Sequence, residues 1–428
     1  MRSNFAQDNS FEEHIQKMIF ARSYINRMDL KQSWNTKSMQ WLLALYILIA
    51  LVASLQDLLH VPKAYSADGR LYTEYNNYVI FKYSFFHLVD GRNLYEVYPN
   101  EHWDLYKYSP AFSLFFSVFA YFPDYIGLTL WSLLNALIVF FAISRLPVFT
   151  IKQKNWMLLF CFIELLGSIQ NTQSNGLMAG LIILSFVFLE KSNYFLAAFC
   201  IVFSIYIKIF GAVAFALFLL YPNKLKLAAY TLFWMLFMTL IPALVTGFTQ
   251  LGILYKYWFA LLREDHLASQ GLSLVGIINS WFHVAVSKNT VVLIGMILFC
   301  LPLVRLRQYK NFQFRVLLLA SVLLWTIVFN HKAESPTFII SMCGIAIWYC
   351  CRERGRTDTI LVILAFILTT LSVSDLFPRM VKEDFIKPYS IKGLMSVVIW
   401  AKIIYEMIFE VGKATPVREM ISTATGKR

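Results

Sequence analysis

The stretch WLLALYILIALVASLQDL, residues 41–58, decides the fold class: eighteen residues with a single charge, Asp57. A helix of that length rises about 27 Å at 1.5 Å per residue, close to the hydrocarbon thickness of a bilayer. Apolar blocks recur at 227–246, 291–304, 316–329, 338–350 and 360–373. With shorter blocks that need flanking residues to span, the chain holds twelve or thirteen apolar segments and no separate soluble domain. Backbone groups in hydrocarbon must be satisfied within a helix or a closed barrel. The alternating runs of about 10 residues that a barrel requires are absent. The expectation is an all-α, polytopic transmembrane bundle of about 12 spans.

Composition agrees. Of 428 residues, 58% are apolar, 17% aromatic and 15% charged, against about 25% charged in a soluble domain. The formal charge of +13 does not point to nucleic acid, because the basic residues gather in short connectors at 2–37, 145–154, 305–315, 352–356 and 413–428. That is the pattern of cytoplasmic connectors facing an anionic leaflet. The six cysteines lie in or beside apolar blocks without zinc-site spacing and read as small hydrophobes. Residues 1–40 lack a secretory signal core; they read as a cytosolic segment with an amphipathic helix over 11–28. Residues 41–409 form the membrane domain and 410–428 a basic cytosolic tail.

With the first span starting inside, the longest polar interval, 60–108, falls outside. It carries five basic residues, six acids and thirteen aromatics, too aromatic for a disordered linker. It is expected to lie on the membrane as short amphipathic helices, with 75–89 the best candidate. Further outer loops are expected at 248–287, 330–336 and 374–388. The short block 112–122 sets the topology of the middle. If it is re-entrant, 145–154 falls inside while Gln173, Asn175 and Lys208 fall outside; if it spans, those faces invert. The first version keeps the basic connector cytoplasmic and is preferred. No internal repeat of the transporter kind is apparent.

Polar residues near spans are costly unless they serve something. Glu74 and Asp68 follow the first span, where a carboxylate suits a general base acting on an acceptor hydroxyl; the plain reading is surface charge in an acidic loop. Lys208 interrupts the apolar run 203–220, either to hold a phosphate or as a lysine snorkelling from a helix end. In the segment 330–336, His331 and Lys332 suit a phosphate leaving group, or the segment is a polar turn before Pro336. Arg263, in the run Arg263-Glu264-Asp265-His266, offers a second anion contact or a solvated face. Gln173 and Asn175, with Asn171 nearby, either read sugar hydroxyls or cap helix ends. P-loop, dinucleotide-binding, HExxH, nucleophile-elbow and Asp-Xaa-Asp patterns are absent.

Several short motifs occur in order over residues 65–350. Tyr106-Lys107-Tyr108-Ser109-Pro110 follows Gly91-Arg92-Asn93-Leu94-Tyr95, and Trp131-Ser132-Leu133-Leu134-Asn135 comes next. Thr172-Gln173-Ser174-Asn175, Lys208-Ile209-Phe210-Gly211 and the set Gln270, Ser273-Leu274 and Gly276 complete the series. Together they resemble glycosyltransferase family 87, polyprenyl-phosphate-sugar-dependent enzymes of the C-type membrane (GT-C) fold. Two motifs depart from the family pattern: glycine is lost before Gln173, and Gly211 replaces a proline.

The resemblance implies an acidic base in the first outer loop, here Glu74 with Asp68 and Asp104 close by, glutamate replacing the usual aspartate. It implies a cationic pocket of Lys208, Arg263, His331 and Lys332 for the donor phosphate, and sugar or acceptor contacts from Tyr106, Tyr108, Gln173 and Asn175. It further implies no metal and no cofactor, a polyprenyl-phosphate sugar donor, a lipid or glycan acceptor, membrane lipids around the spans, and a bacterial plasma (inner) membrane. Three other readings compete: a transporter or flippase of lipid-linked sugars, a polysaccharide polymerase or ligase, and a non-catalytic assembly factor.

Overall fold

The computed structural model describes residues 36–64, 69–268, 271–374 and 377–412. The expected helix over 11–28, Asp68, Gln270 and the tail from 413 lie outside these residues. Among the described residues the chain is helical apart from a two-residue antiparallel ladder, β1 (Lys63–Ala64) with β2 (Leu71–Tyr72).

Helix α1 (Lys37–Leu59) is the block that opened the sequence, four residues longer at its start. The expected surface helix follows as α2 (Asn76–Val89). Two short helices, α3 (Pro110–Phe115) and α4 (Ser117–Ala120), come before α5 (Asp124–Ser144). Ser109 caps α3 by accepting from the Phe112 amide, and Pro110 occupies the first turn, where its missing N–H costs nothing. The α3–α4 pair stays beside α2: Ser113 Oγ donates to the Ser84 carbonyl at 2.8 Å and Tyr78 Oη to the Phe119 carbonyl at 3.4 Å.

The next helices are α6 (Ile151–Gln170), α7 (Asn175–Glu190) and α8 (Tyr194–Ile207), followed by a 3-10 helix, Ile209–Leu220. Then come α9 (Lys224–Leu240), α10 (Ala243–Ala268), α11 (Leu274–Phe282), α12 (Lys288–Cys300), α13 (Phe312–Val328), α14 (Ile339–Cys350), α15 (Arg356–Ala365) and α16 (Ile391–Phe409). Two expectations need correction here. The apolar block 227–246 is not one continuous helix, since α9 stops before Pro242 and the chain bends by 89° into α10. Proline cannot supply the N–H that would continue α9. The expected outer loop 248–287 is largely helical, being α10 and α11.

By length and composition, α1 and α5 are long and apolar enough to cross a membrane, and the bent α9–α10 pair makes a third if taken as one span. Shorter apolar helices, among them α7, α8, α12 and α13, fill the bundle around them. Helix α13 is buried from Val316 to Val328. Leu48, Val52 and Leu55 of α1 and Leu232, Phe233 and Leu236 of α9 are exposed, an apolar belt that lipid covers.

Polar contacts divide the bundle into two ends. At one, Gln170 Nε2 donates to Gln56 Oε1 at 2.8 Å, Asn77 Nδ2 to the Asn171 carbonyl at 2.9 Å, and Lys82 pairs with Asp124 at 2.6 Å. At the other, Asn155 bonds Ser38 at 2.9 Å, Gln153 bonds the Cys350 carbonyl at 2.9 Å, and Arg315 and Arg354 pair with Glu190 and Glu406 at 2.6 and 2.8 Å. Between them the helices enclose an ion pair, Lys392 Nζ to Glu164 Oε1 at 2.7 Å, with both side chains at most 5% exposed.

Candidate active site

The junction between α6 and α7 is built by residues far away in sequence. Trp131, fully buried on α5, donates its indole N–H to the Thr172 carbonyl at 2.8 Å, and the Tyr78 amide donates to Thr172 Oγ1 at 3.2 Å. These bonds hold Thr172 at φ +49°, a conformation that side chains other than glycine adopt only when their surroundings compel it. One turn on, Asn135 Oδ1 accepts from the Leu177 amide at 2.9 Å, and Gly176 lies so close that a Cβ there would stand 2.7 Å from the Asn135 carbonyl oxygen. The Trp131–Asn135 motif therefore serves to place Gln173 and Asn175.

Those amides meet Lys208. Lys208 ends α8 in an extended conformation, and its Nζ donates to Asn175 Oδ1 at 2.8 Å and Gln173 Oε1 at 3.4 Å. It also lies 5.9 Å from the centre of the Tyr108 ring, within cation–π range. Desolvation pulls the Lys208 ammonium down to about 8, with Glu334 opposing the fall and Lys107 adding to it.

Around this group opens a cavity of about 430 Å³, within the range of small-ligand sites. Its charged lining is Asp104, Lys107, Lys208, Lys332 and Glu334; its amides are Asn77, Asn171, Gln173 and Asn330; its aromatics include Trp103, Tyr108 and Trp258. Asp104 holds Lys107 Nζ through both oxygens, at 3.1 and 3.0 Å, and accepts from the Leu105 amide at 2.7 Å. The Lys107 carbonyl in turn receives the Trp258 indole N–H at 3.3 Å, which ties the first loop to α10. Among the described residues no cluster of three or more His, Cys, Asp or Glu is arranged for a metal.

Of the residues singled out in the sequence, Tyr108, Gln173, Lys208 and Lys332 line the cavity and Asn175 supports it from behind. Four lie elsewhere. Glu74 pairs with Lys63 beside the β-ladder and is not part of the lining. Tyr106 is buried in the core, its hydroxyl spent on the Ser109 carbonyl at 2.7 Å and its ring 5.9 Å from that of Tyr95. Arg263 is exposed on α10; Trp258 and Leu262, four residues apart, present that helix to the cavity, and the next residue is turned about 100° away. His331 packs against Phe210, ring centres 5.7 Å apart, while Asn330, Lys332 and Glu334 take the cavity side. Sequence reasoning did not single out Lys107, Asn77, Trp103, Trp258 or Glu334. The only signal for Lys107 was its place inside the Tyr106–Pro110 motif.

The sequence profile of glycosyltransferase family 87 matches residues 106–329, just over half of the 428 residues. The chain belongs to glycosyltransferase family 87. A search of curated proteins finds no match to it. Membership in glycosyltransferase family 87 makes the chain a membrane transferase enzyme that binds a sugar donor and an acceptor, and removes the transporter and assembly-factor readings. The matched region contains Lys107, Tyr108, Gln173, Asn175, Lys208 and Trp258; Asp104, Asn330, Lys332 and Glu334 flank it.

The cavity wall from the 330 segment depends on one glycine. The Leu272 amide donates to the Ala333 carbonyl at 2.7 Å, and Gly271, at φ +54°, would place a Cβ 2.7 Å from the His331 carbonyl oxygen and 2.9 Å from Ala333 N and O. All three are backbone atoms that cannot swing aside. Gly271→Ala is expected to displace Lys332 and Glu334 and to lower transfer about tenfold or more, for a strain of about 1–3 kcal/mol. Transfer assays beside a thermal melt separate this from global unfolding.

Proposed function

We propose that this cavity is where a sugar passes from a polyprenyl-phosphate donor to a lipid or glycan hydroxyl, at the outer face of a bacterial inner membrane. The sharing of one cavity by Asp104 and Lys208 carries the assignment, with Asp104 taking the role that the sequence suggested for Glu74 or Asp68. The acceptor hydroxyl attacks the anomeric carbon, and the bond from that carbon to the phosphate oxygen breaks. The lipid phosphate leaves with the bonding electrons, and Asp104 takes the acceptor's proton. Lys208, with Lys332 and Lys107, offsets charge gathering on the leaving phosphate, the kind of preorganised electrostatics that usually dominates such catalysis. Asn77, Asn171 and Gln173 are placed to hold sugar hydroxyls, and Trp103, Tyr108 and Trp258 offer faces to the ring.

The membrane domain is taken as residues 41–409, with about 12 crossings made by the long and short apolar helices together and with 1–40 and 410–428 on the cytoplasmic side. The bundle end bearing Asn171, Lys208 and Asn330 then faces outward, because the basic connectors at 145–154, 305–315 and 352–356 gather at the other. The test is a panel assay on protein in liposomes, offering each sugar on a polyprenyl phosphate and on a nucleotide. Transfer from the lipid phosphate is expected; transfer from the nucleotide alone overturns the assignment. Lys332→Cys, part-exposed in the same segment, is expected to react with an impermeant thiol label added outside intact cells.

A further inference from the structure

Glu334, Gln173, Asn175 and Lys208 form a single chain of hydrogen bonds. Gln173 Nε2 donates to Glu334 Oε2 at 2.7 Å, Asn175 Nδ2 to Gln173 Oε1 at 2.7 Å, and Lys208 Nζ to Asn175 Oδ1 at 2.8 Å. A carboxylate only accepts and an ammonium only donates, whereas an amide does either according to which way round it stands. The two ends therefore dictate the middle. With Glu334 accepting at one end, the Gln173 oxygen must face inward, and it draws the Asn175 NH₂, whose own oxygen is left for Lys208. If Gln173 turned over, its NH₂ would confront the Asn175 NH₂ and the Lys208 ammonium, three donors with no acceptor among them. Asn175 is fully buried and cannot turn to water for relief.

We propose that Glu334 is a positioning residue that orients the Gln173 and Asn175 amides so that both oxygens face Lys208. It thereby keeps that ammonium charged and aimed into the cavity for the donor phosphate. The backbone holds Glu334 in place: its amide donates to Thr337 Oγ1 at 3.1 Å and its carbonyl accepts from the Thr337 amide at 3.0 Å, at the start of the 3-10 turn Ser335–Phe338. The proposal rests on Lys208 meeting the donor phosphate. The charges around Lys208 are Glu334, which holds its proton on, and Lys107, which works against it. Asp104 is paired to Lys107, Lys332 shares the cavity lining, and the Tyr108 ring is the aromatic neighbour.

The test uses full-length protein in detergent and farnesyl phosphate as the probe, titrated calorimetrically between pH 6 and pH 10. Wild-type binding is expected to weaken above about 8, where Lys208 loses its proton. In Glu334→Gln the weakening is expected to begin about half a pH unit lower or more, so that binding at pH 8 falls about twofold or more, and Glu334→Asp is expected to restore it. A role confined to shaping the loop would weaken binding equally at every pH. A Glu334→Gln profile that tracks the wild type, while Lys208→Met abolishes binding, overturns this inference and leaves the phosphate role of Lys208 standing. Undiminished binding by Lys208→Met removes both.

Discussion

Asp104→Asn is expected to lower sugar transfer about 10²–10⁴-fold, the usual contribution of a positioned general base, with donor binding near wild type. The substitution preserves shape and one oxygen acceptor, and Asp104 stands on a loop at the cavity edge, not in the packed core, so the fold should tolerate it. What is lost is the capacity to take a proton. Lys107, bound to both carboxylate oxygens at 3.1 and 3.0 Å, fixes its direction. Single-turnover rates at saturating donor are the measurement, since they isolate chemistry from binding. Glu74→Gln serves as the comparison and is expected to remain within a few-fold of wild type, because Glu74 pairs with Lys63 away from the cavity. The reverse pattern, an active Asp104→Asn and a dead Glu74→Gln, would return the base to the start of the loop.

Lys208→Met is expected to lower kcat/KM about 10²–10³-fold, comparable to removing a preorganised donor that meets developing charge. Methionine keeps most of the side-chain volume and removes only the cation. That cation is half-buried among amide oxygens and the Tyr108 ring, where Coulomb attraction to a phosphate is stronger than in open water. Lys208→Arg is expected to recover little, because a planar fork cannot take the place of a compact ammonium between Asn175 and Gln173. Arg263→Ala, on the face of α10 turned from the cavity, is expected to stay within about twofold of wild type. A Lys208→Met enzyme of normal efficiency would end the phosphate role given to this residue.

Much of the helical framework was legible before the structure because its determinants are local. Residues 41–58 lie within Lys37–Leu59, and residues 75–89 match Asn76–Val89 to one position. The polar stretch 248–268 was not legible as helix, because Lys256, Arg263, Glu264 and Asp265 among its aromatics give it the composition of an outer loop. Lys208, Gln173 and Lys332 stood out because a polar group inside or between apolar runs is costly without a purpose. The choice among the acids of the first outer loop was closed to sequence reasoning. What carries Asp104 to Lys208 is the folding of that loop on itself, through the Tyr72 hydroxyl on the Pro99 carbonyl at 2.7 Å and Asn76 on the Trp103 amide at 3.3 Å. Nothing in residue order distinguishes those contacts from their neighbours. Arg263 was misplaced for a related reason: once α10 is a helix, its phase puts Trp258 and Leu262, and not Arg263, on the cavity.

The enclosed pair of Lys392 and Glu164 has a consequence for biogenesis. The two partners are 228 positions apart, about 10–50 s of synthesis at 5–20 residues per second. Throughout that interval Glu164 has left the ribosome and Lys392 has not. If α6 is one of the proposed crossings, an acidic side chain stranded in lipid is costly, and the nascent helix carrying it needs shelter, from the insertion machinery or a proton, until the closing helix arrives. A chain truncated before residue 392 never receives its counter-charge, which marks it chemically as unfinished to any quality-control system that senses unpaired charge within the bilayer.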